Sequence, residues 1–189
     1  MPVRDNAKHE AALTQRFYDD LRGIAAKFFV AEQAGHTLQP TAVVNEACLR
    51  IINQGLPDVP RDQQLAIAAR ILKQVLVDHA RKRNADKRGG AARHQGALRL
   101  DLDRDMLQDE RTVVDFDAVH RALDKLRTLS ESQAELVTLR MFSGMSMDQA
   151  ASVLGLSKRS AEREWTVARA WLRRELAREL GMDNAQAPE

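Results

Sequence analysis

The stretch from Ser146 to Arg174 constrains the fold more than any other part of the chain, because its residues predict two helices joined by a tight turn. Ser146 can cap the first helix, and Gln149, three residues later, completes a capping box. Gly155 can adopt the left-handed conformation in which many helices end. Ser157 can then cap the second helix.

The second helix of this pair has one apolar face and one polar, basic face. Ala161, Trp165, Ala168 and Leu172 recur at spacings of four, three and four, which is the helical period. The other side carries Lys158, Arg159, Ser160, Glu162, Arg163, Thr166 and Arg169. Such a pair is typical of a helix-turn-helix, whose second helix enters the DNA major groove. A plain helical hairpin is the alternative, but the caps, the glycine and the basic first turn together favour DNA binding.

The composition favours helices over sheets. Aromatic residues make up only 4% of the 189 residues, whereas Ala, Leu, Arg and Glu are abundant. A chain of this length allows one or two domains, each with a proper core. The net charge of +2 says little about partners by itself. Since the sequence shows no charged-then-apolar leader and no apolar run long enough to cross a bilayer, we expect a cytoplasmic protein.

Apolar periodicity predicts several helices outside this pair. In the N-terminal half it predicts helices over residues 10–30, 41–53 and 62–84, with a loop containing Pro and Gly at 54–61. Helices resume near Phe116, and the C-terminal part reads as a bundle of about four helices. No stretch shows the alternation of a strand.

The charge distribution divides the chain into two parts. Basic residues dominate from Arg70 to Arg93 and could neutralise phosphates, although a solvated charged face is the alternative. Acidic residues dominate from Asp101 to Asp117, which predicts a flexible acidic linker. We therefore predict an all-α fold of two small helical domains joined by this linker. The predicted segments are a tail at 1–9, a first domain at 10–92, the linker at 93–117, a second domain at 118–180 and a tail at 181–189.

No pattern in the sequence supports catalysis. The five histidines are dispersed, without the spacing of an HExxH or Cys/His metal site, and the sequence has no GxGxxG or GxxxxGK loop. The single cysteine, Cys48, excludes an internal disulfide and lies in an apolar helical stripe, where a buried thiol is expected rather than a nucleophile. We therefore expect no enzymatic activity, no catalytic residue, no metal site and no cofactor.

Three segments, in this order, resemble bacterial sigma factors of the extracytoplasmic-function (ECF) type in the sigma-70 family. Region 2.2 of that family is similar to Thr41–Ile51, TAVVNEACLRI. Regions 2.3 and 2.4 are similar to Leu65–Arg88, LAIAARILKQVLVDHARKRNADKR. Region 4 is similar to Leu129–Leu176, which includes the helix-turn-helix. The resemblance covers nearly the whole chain apart from its tails and linker.

The resemblance implies a transcription initiation factor that binds core RNA polymerase, recognises the −10 and −35 promoter elements and helps to open the −10 DNA. The implied polymerase contacts are the clamp helices of the largest subunit and the flap, with the clamp helices bound by Asn45, Glu46, Leu49 and Arg50. An alternative for Leu49 and Ile52 is a place in the core. The implied −10 residues are Arg70, Lys73, Gln74, Asp78, His79, Arg81, Lys82, Arg83, Lys87 and Arg88. The implied −35 residues are Lys158, Arg159, Ser160, Glu162, Arg163, Thr166 and Arg169.

The sequence departs from the family at several positions. Gln74 stands where many members have Asn, and Glu162 stands where many have a basic residue. The third helix lacks aromatic side chains that could stack on melted bases, and only His79 offers a ring there. We therefore expect strand opening to depend on capture of a flipped base by the loop at 54–61, which must offset the few kcal/mol that extruding a base costs.

Two other functions fit parts of the sequence. The first is a stand-alone helix-turn-helix DNA-binding regulator without polymerase contact, and the second is a helical interaction or enzyme-accessory protein. The N-terminal part favours the initiation factor, because a repressor needs neither the motif at 41–51 nor an acidic linker. An anti-sigma factor or a regulatory kinase is a further possible partner, and we expect no membrane contact.

Overall fold

A computed structural model of the protein describes residues 15, 18–23, 40–54, 59–86, 99–102 and 112–179. Its elements with defined ends are α1 (Pro40–Gln54), α2 (Arg61–Asp86), β1 (Arg99–Leu102), β2 (Thr112–Asp115), α3 (Phe116–Leu129), α4 (Glu131–Ser143), α5 (Met147–Val153) and α6 (Lys158–Glu179). Residues 18–23 are also helical. The helices predicted at 41–53 and 62–84 are confirmed with slightly wider bounds. Most of the helix predicted at 10–30, and half of the loop predicted at 54–61, lies outside the described residues.

Side-chain caps and glycines set the ends of the C-terminal helices. The Ser130 hydroxyl accepts a hydrogen bond from the Gln133 N–H at 3.3 Å, and Gly144 ends α4 at a φ of 65°. At the start of α5, the Gln149 N–H donates to Ser146 Oγ at 3.2 Å and the Ser146 N–H donates to Gln149 Oε1 at 3.0 Å. These bonds satisfy N–H groups that the first turn of a helix leaves without partners. The predicted capping box is confirmed.

Large apolar side chains from α3 and α4 form the core of the C-terminal part, on which α6 packs. The rings of Phe116 and Phe142 meet edge to face, with their centroids 6.2 Å apart, a favourable arrangement for aromatic pairs. Around them the most deeply buried leucines are Leu123, Leu126, Leu136 and Leu139. Helices α3 to α6 therefore form one packed bundle, as the apolar periodicity predicts.

Helix α2 lies between α1 on one side and the C-terminal helices on the other. It contacts α1 and also α3, α4 and α5. Its buried positions are Ala66, Ala68, Ala69, Leu72, Lys73, Val75, Leu76, Val77 and Ala80. A helix that buries side chains around so much of its circumference must be covered on more than one side. This two-sided burial packs the N-terminal helices against the C-terminal bundle.

A short pair of strands lies inside the segment predicted as an irregular linker. β1 and β2 are antiparallel, with Leu100 opposite Val114 and Asp101 opposite Val113. The β-branched residues Thr112, Val113 and Val114 favour a strand, a signal that the glycine and acidic content of the segment obscured. These residues are therefore extended and paired. The predicted helical fold class is confirmed, and among the described elements this pair is the exception.

Candidate nucleic-acid and partner interfaces

The turn between α5 and α6 fixes the direction of α6. Gly155 has a φ of 67°, in the left-handed region. Its N–H donates to the Ser152 carbonyl at 3.2 Å, and the Leu156 N–H donates to the Ala151 carbonyl at 2.9 Å. These two bonds form a Schellman motif, which satisfies the last carbonyl groups of α5. The local geometry predicted for the helix-turn-helix is therefore confirmed.

The predicted apolar face of α6 packs against the rest of the bundle. Ala161, Trp165, Ala168 and Leu172 are all buried. The Arg140 guanidinium of α4 lies 5.3 Å from the centroid of the Trp165 ring, a cation–π contact. Because this face is fixed by α4 and α5, the opposite face of α6 is held rigidly toward solvent.

The exposed face of α6 carries most of the residues predicted to read the −35 element. Lys158, Arg159, Glu162, Arg163 and Thr166 are exposed, and Ser160 and Arg169 are half-buried. Within the described part of the chain, Arg159 and Arg163 form no ion pair. Their guanidinium groups are therefore available for a ligand, and both stand in the first two turns of the helix.

Three other residues of this predicted set are engaged in local bonds. Lys158 Nζ lies 2.9 Å from Asp148 Oδ2, and this hydrogen bond raises the pKa of the lysine. The Ser160 N–H donates to Ser157 Oγ at 3.1 Å, which caps α6 as predicted. The Thr166 hydroxyl donates to the carbonyl of the residue one turn earlier at 2.9 Å. These residues help to build the helix as well as line its exposed face.

Two large aliphatic side chains are exposed on α1. Leu49 is 59% exposed and Ile52 is 62% exposed, so the alternative that they belong to the core is wrong. Asn45 lies one turn earlier on the same face, where its Oδ1 accepts a hydrogen bond from the Tyr18 hydroxyl at 3.1 Å. Neighbouring exposed aliphatic residues of this size are typical of a contact with another protein.

A network of charged side chains joins α1 to α2. The carboxylate of Glu46 lies 2.7 Å from Arg50 Nη2 and 2.7 Å from His79 Nε2. Arg50 Nη2 also lies 2.8 Å from Asp78 Oδ2. Gln74 Nε2 donates to the other oxygen of Asp78 at 2.9 Å. Residues that the family resemblance assigns to polymerase binding therefore bind residues that it assigns to the −10 element.

The network keeps its acidic groups ionised. Burial raises the pKa of Glu46, but the hydrogen bonds from His79 and Arg50 outweigh it, so the pKa lies below its ordinary value. Burial likewise raises the pKa of Asp78, and hydrogen bonds from Arg50 and Gln74 reverse that effect. The same contacts, the Asp78 bond first, raise the pKa of Arg50. The crossing of α1 over α2 is thus held by charged groups at neutral pH.

Other predicted −10 residues of α2 meet the C-terminal helices. Arg70 Nε donates to Glu135 Oε1 of α4 at 2.5 Å. Lys73 is only 7% exposed, and its burial is the main reason that its pKa is lowered. Arg81 Nη2 lies 3.4 Å from His120 Nε2 of α3. In this arrangement Lys73 is enclosed by protein, whereas the side chains of Arg70 and Arg81 stay exposed while each contacts one group of a C-terminal helix.

The last predicted −10 residues stand at the C-terminal end of α2 or beyond it. Lys82 is exposed, and Arg83 begins the last turn of the helix. Lys87 and Arg88 lie outside the described residues. The described part of the predicted −10 set therefore divides between the α1 contact, the contact with the C-terminal helices and the C-terminal end of α2.

Sequence reasoning missed the residues of the C-terminal helices that meet α2. Glu135 and His120 look like ordinary polar positions of amphipathic helices, and no local signal marks them as partners of Arg70 and Arg81. Gln149 was predicted only as part of a cap, yet its Nε2 donates to Asp62 Oδ1 at 3.0 Å. Each partner is distant in the sequence, by 65 residues for Glu135 and 87 for Gln149.

Neither a membrane span nor a metal centre is present in the part of the chain that the structure describes. No described helix has both the length and the apolar character needed to cross a bilayer. No three His, Cys, Asp or Glu side chains among the described residues are grouped to hold a metal ion. What these helices do present is the N-terminal half of α6, the aliphatic pair of α1 and the cations of α2.

The chain matches a known protein family over most of its length. Residues 3–178 match the family model described as ECF sigma factor. No curated protein and no solved structure gives a significant match. The proteins of this family are transcription initiation factors that act with RNA polymerase and are not enzymes. Because the match spans all but the ends of the 189 residues, the chain belongs to the ECF sigma factor family.

Proposed function

We propose that this ECF sigma factor binds core RNA polymerase through α1, reads a −35 element with α6 and contacts the −10 element with α2, so that it helps to open the promoter. The observation that supports the proposal most directly is the exposed basic face of α6. Arg159 and Arg163 are exposed and form no ion pair among the described residues, on a helix held rigidly by a Schellman turn and a buried face. Rigid presentation favours specific contacts because little side-chain and backbone freedom is lost on binding.

The −35 contact uses the first turns of α6. A guanidinium group can bond to O6 and N7 of a guanine at once, and a carboxylate can accept from the amino group of a cytosine. Arg159 and Arg163 can therefore bind a guanine, and Glu162 can bind a cytosine. Each good bidentate contact contributes about 1–3 kcal/mol of discrimination between bases. The three residues together suffice for a short, specific element.

The polymerase contact uses the aliphatic pair of α1. Burying one leucine-sized side chain contributes about 1.5–3 kcal/mol, so Leu49 and Ile52 together would account for much of a specific docking contact. Asn45 and the Glu46–Arg50 pair border the two side chains with polar groups. An apolar centre with a polar rim is the usual composition of a protein–protein interface.

The −10 contact uses the cations of α2. Arg70, Lys73, Arg81 and Lys82 lie along α2, and cations distributed along a helix can neutralise phosphates. These bonds position the DNA and make its binding dependent on salt. The bases themselves would be read by Gln74 and by the loop that precedes α2.

Run-off transcription with purified core enzyme on a pool of genomic promoters tests the function as a whole. We expect the wild-type protein to direct initiation at a subset of promoters that share two spaced elements. L49E should weaken binding to core enzyme about tenfold or more, because it places a charge in an apolar contact. L129E is the matched control, since Leu129 is also an exposed leucine, at the end of α3, outside the proposed interface.

The same experiment separates the initiation factor from a stand-alone DNA-binding regulator. A regulator would bind duplex DNA through α6, would not co-purify with core enzyme and would respond equally to L49E and L129E. If core enzyme stays unable to initiate at every promoter of the pool when the protein is added, the proposed function is wrong.

A further inference from the structure

We propose that Asp78 and Arg50 fix the side-chain amide of Gln74 with its oxygen free for DNA, so that Gln74 reads the −10 element as a hydrogen-bond acceptor. An acceptor at this place selects a base with an exocyclic amino group, which is adenine or cytosine. The inference rests on the proposed function, since it takes Gln74 as a residue that contacts a −10 base. Gln74 then touches the DNA, and Asp78 and Arg50 are positioning residues.

Gln74 stands on an exposed edge of α2. Along this edge Arg70, Gln74, Asp78 and Arg81 follow one another at spacings of four, four and three, which bring side chains to one side of a helix. Gln74 and the two arginines are exposed. Guanidinium groups on either side of an amide can hold phosphates while the amide contacts a base. A base can therefore reach the Gln74 side chain at this edge.

The bond to Asp78 decides which end of the Gln74 amide is free. Gln74 Nε2 donates to Asp78 Oδ1 at 2.9 Å. Burial raises the pKa of Asp78, but the hydrogen bonds from Arg50 and Gln74 outweigh it and lower the pKa, so the carboxylate is ionised at neutral pH. An ionised carboxylate has acceptors only, and the amide oxygen cannot replace the amide nitrogen beside it. The oxygen of Gln74 is therefore the end that remains for a ligand.

Arg50 holds the other oxygen of the Asp78 carboxylate. Its Nη2 lies 2.8 Å from Asp78 Oδ2 and 2.7 Å from Glu46 Oε1. Glu46 in turn lies 2.7 Å from His79 Nε2, so the arginine is anchored to both α1 and α2. Because each oxygen of Asp78 has its own donor, the carboxylate is held in one orientation. Arginine has donors only, and any side chain at position 78 must therefore turn an acceptor toward Arg50.

The substitution D78N should reverse the direction of the bond to Gln74. It keeps the size and shape of the side chain and replaces one carboxylate oxygen by an amino group. Arg50 retains the remaining oxygen, so the new amino group faces Gln74. The Gln74 amide must then turn over to accept this bond, and its own amino group becomes the free end. A base with a carbonyl oxygen, guanine or thymine, is then the better match.

Holoenzyme, assembled from core enzyme and the full-length protein, tests this reversal. The probes are fluorescent single strands from both strands of the −10 element of the strongest promoter in the run-off pool, each with one base substituted. Q74M identifies the position that Gln74 contacts, because methionine has a similar size but no amide and should abolish the base preference there. At this position the wild type should bind adenine or cytosine about tenfold more tightly than guanine or thymine. D78N should show the opposite preference.

D19N is the matched control, because Asp19 Oδ1 accepts a bond from Gln15 Nε2 at 3.2 Å with the same spacing in the sequence and the charge change is identical. It should leave the base preference unchanged. D78N added to Q74M should not alter the base preference further, whereas a merely structural role of Asp78 would weaken binding of all strands alike. Thermal unfolding monitors the fold of each variant. If D78N unfolds, wild type and Q74M still show whether Gln74 selects an amino group.

The inference is overturned if Q74M changes the base preference at no position, which includes the case in which no single strand binds. It is also overturned if the wild type prefers guanine or thymine at the Gln74 position, or if D78N keeps the wild-type preference. Loss of the preference without reversal in D78N overturns the part assigned to Arg50. These results leave the proposed function standing as long as holoenzyme initiates at specific promoters. Failure of that transcription assay, in contrast, overturns the proposed function itself.

Discussion

Helices α2 and α6 both carry a row of basic residues, but packing treats the two rows differently. α6 buries one narrow face around Trp165 and leaves Arg159 and Arg163 exposed. α2 is covered on two sides, so that Arg70 binds Glu135 and Lys73 is buried. Basic residues on a helix therefore define an available DNA surface only where the neighbouring helices leave them uncovered. From charge alone, the two helices would be expected to bind DNA equally well.

The largest expected effect removes the support of the exposed helix. W165A deletes a buried aromatic side chain and its contact with Arg140, which should destabilise the C-terminal bundle by about 3–5 kcal/mol. Urea unfolding followed by circular dichroism measures the change. V167A, at an exposed position of the same helix, should change the free energy of unfolding by less than about 0.5 kcal/mol. Equal effects of the two substitutions would contradict the packing of α6 described above.

The next effect sharpens the difference between base reading and phosphate binding. R163A should reduce discrimination between the −35 element and a mutated element by about 1–3 kcal/mol. K82A, at the exposed end of α2, should weaken binding of the −10 single strand about equally for all sequences and lower its salt slope by about 0.7. Fluorescence titrations at several salt concentrations measure both quantities. R174A, an exposed arginine in the C-terminal half of α6, is the control for a simple loss of charge.

If R163A instead weakens binding to both duplexes equally, α6 binds the DNA backbone and does not read the −35 element. If K82A changes the preference for sequence, the end of α2 has a role that its exposed position and charge do not suggest. Either result would contradict the assigned roles, in which α6 reads bases and the end of α2 binds phosphates.

How well the sequence predicts the structure depends on how far apart along the chain the interacting residues lie. The capping box at Ser146, the cap at Ser157 and the turn at Gly155 were predicted because each involves neighbours along the chain. The buried face of α6 was predicted because helical periodicity reports which positions share a side. The family was predicted for a similar reason, since several local motifs stand in the right order.

The contacts of α2 could not be predicted in the same way. Ala66, Ala69 and Val77 fit the apolar periodicity of any buried helix, and the sequence does not say which neighbour covers them. Lys73 reads as a surface cation until its burial is known. The pairing of Arg70 with Glu135 depends on two helices meeting across 65 residues of chain, which no local pattern encodes. The −10 residues thus stay a prediction, whose availability depends on this contact.

A smaller effect separates backbone strain from side-chain contact in the turn that orients α6. Gly155 has a positive φ, and an added Cβ would meet nothing within 4 Å. G155A should therefore cost about 1 kcal/mol through backbone strain alone. G23A is the matched control, because an added Cβ there also meets open space and no positive φ is involved. On a helix, G23A should stabilise the protein by up to about 1 kcal/mol.

Chemical unfolding of the two glycine variants in parallel measures this difference. Opposite signs confirm that the turn, and not its packing, requires glycine at position 155. Equal and small effects would mean that the chain relaxes at Gly155 with little loss, and then the direction of α6 would depend on Trp165 and its neighbours alone.

The smallest expected effect is a dependence of the contact between α2 and α3 on pH through His120. Burial, followed by the charges of Arg81 and Lys73 on α2, lowers the pKa of His120 below 6.5, against the opposing charges of Asp124 and Asp117 on α3. The neutral ring can accept the bond from Arg81 at Nε2. Because the unfolded protein binds the proton more readily, the contact keeps its full stability above pH 6.5 and loses stability as the pH falls below it.

Urea unfolding at several pH values between about 7.5 and about 5.5 measures this dependence. The free energy of unfolding of the wild type should fall toward the acid end, whereas that of H120Q, which cannot take up the proton, should fall less. The low pKa values of Glu46 and Asp78 keep the α1–α2 network ionised over this range, so their titration cannot imitate the effect. If the wild type and H120Q lose stability in parallel as the pH falls, other groups cause the loss, and His120 does not control the contact between α2 and α3.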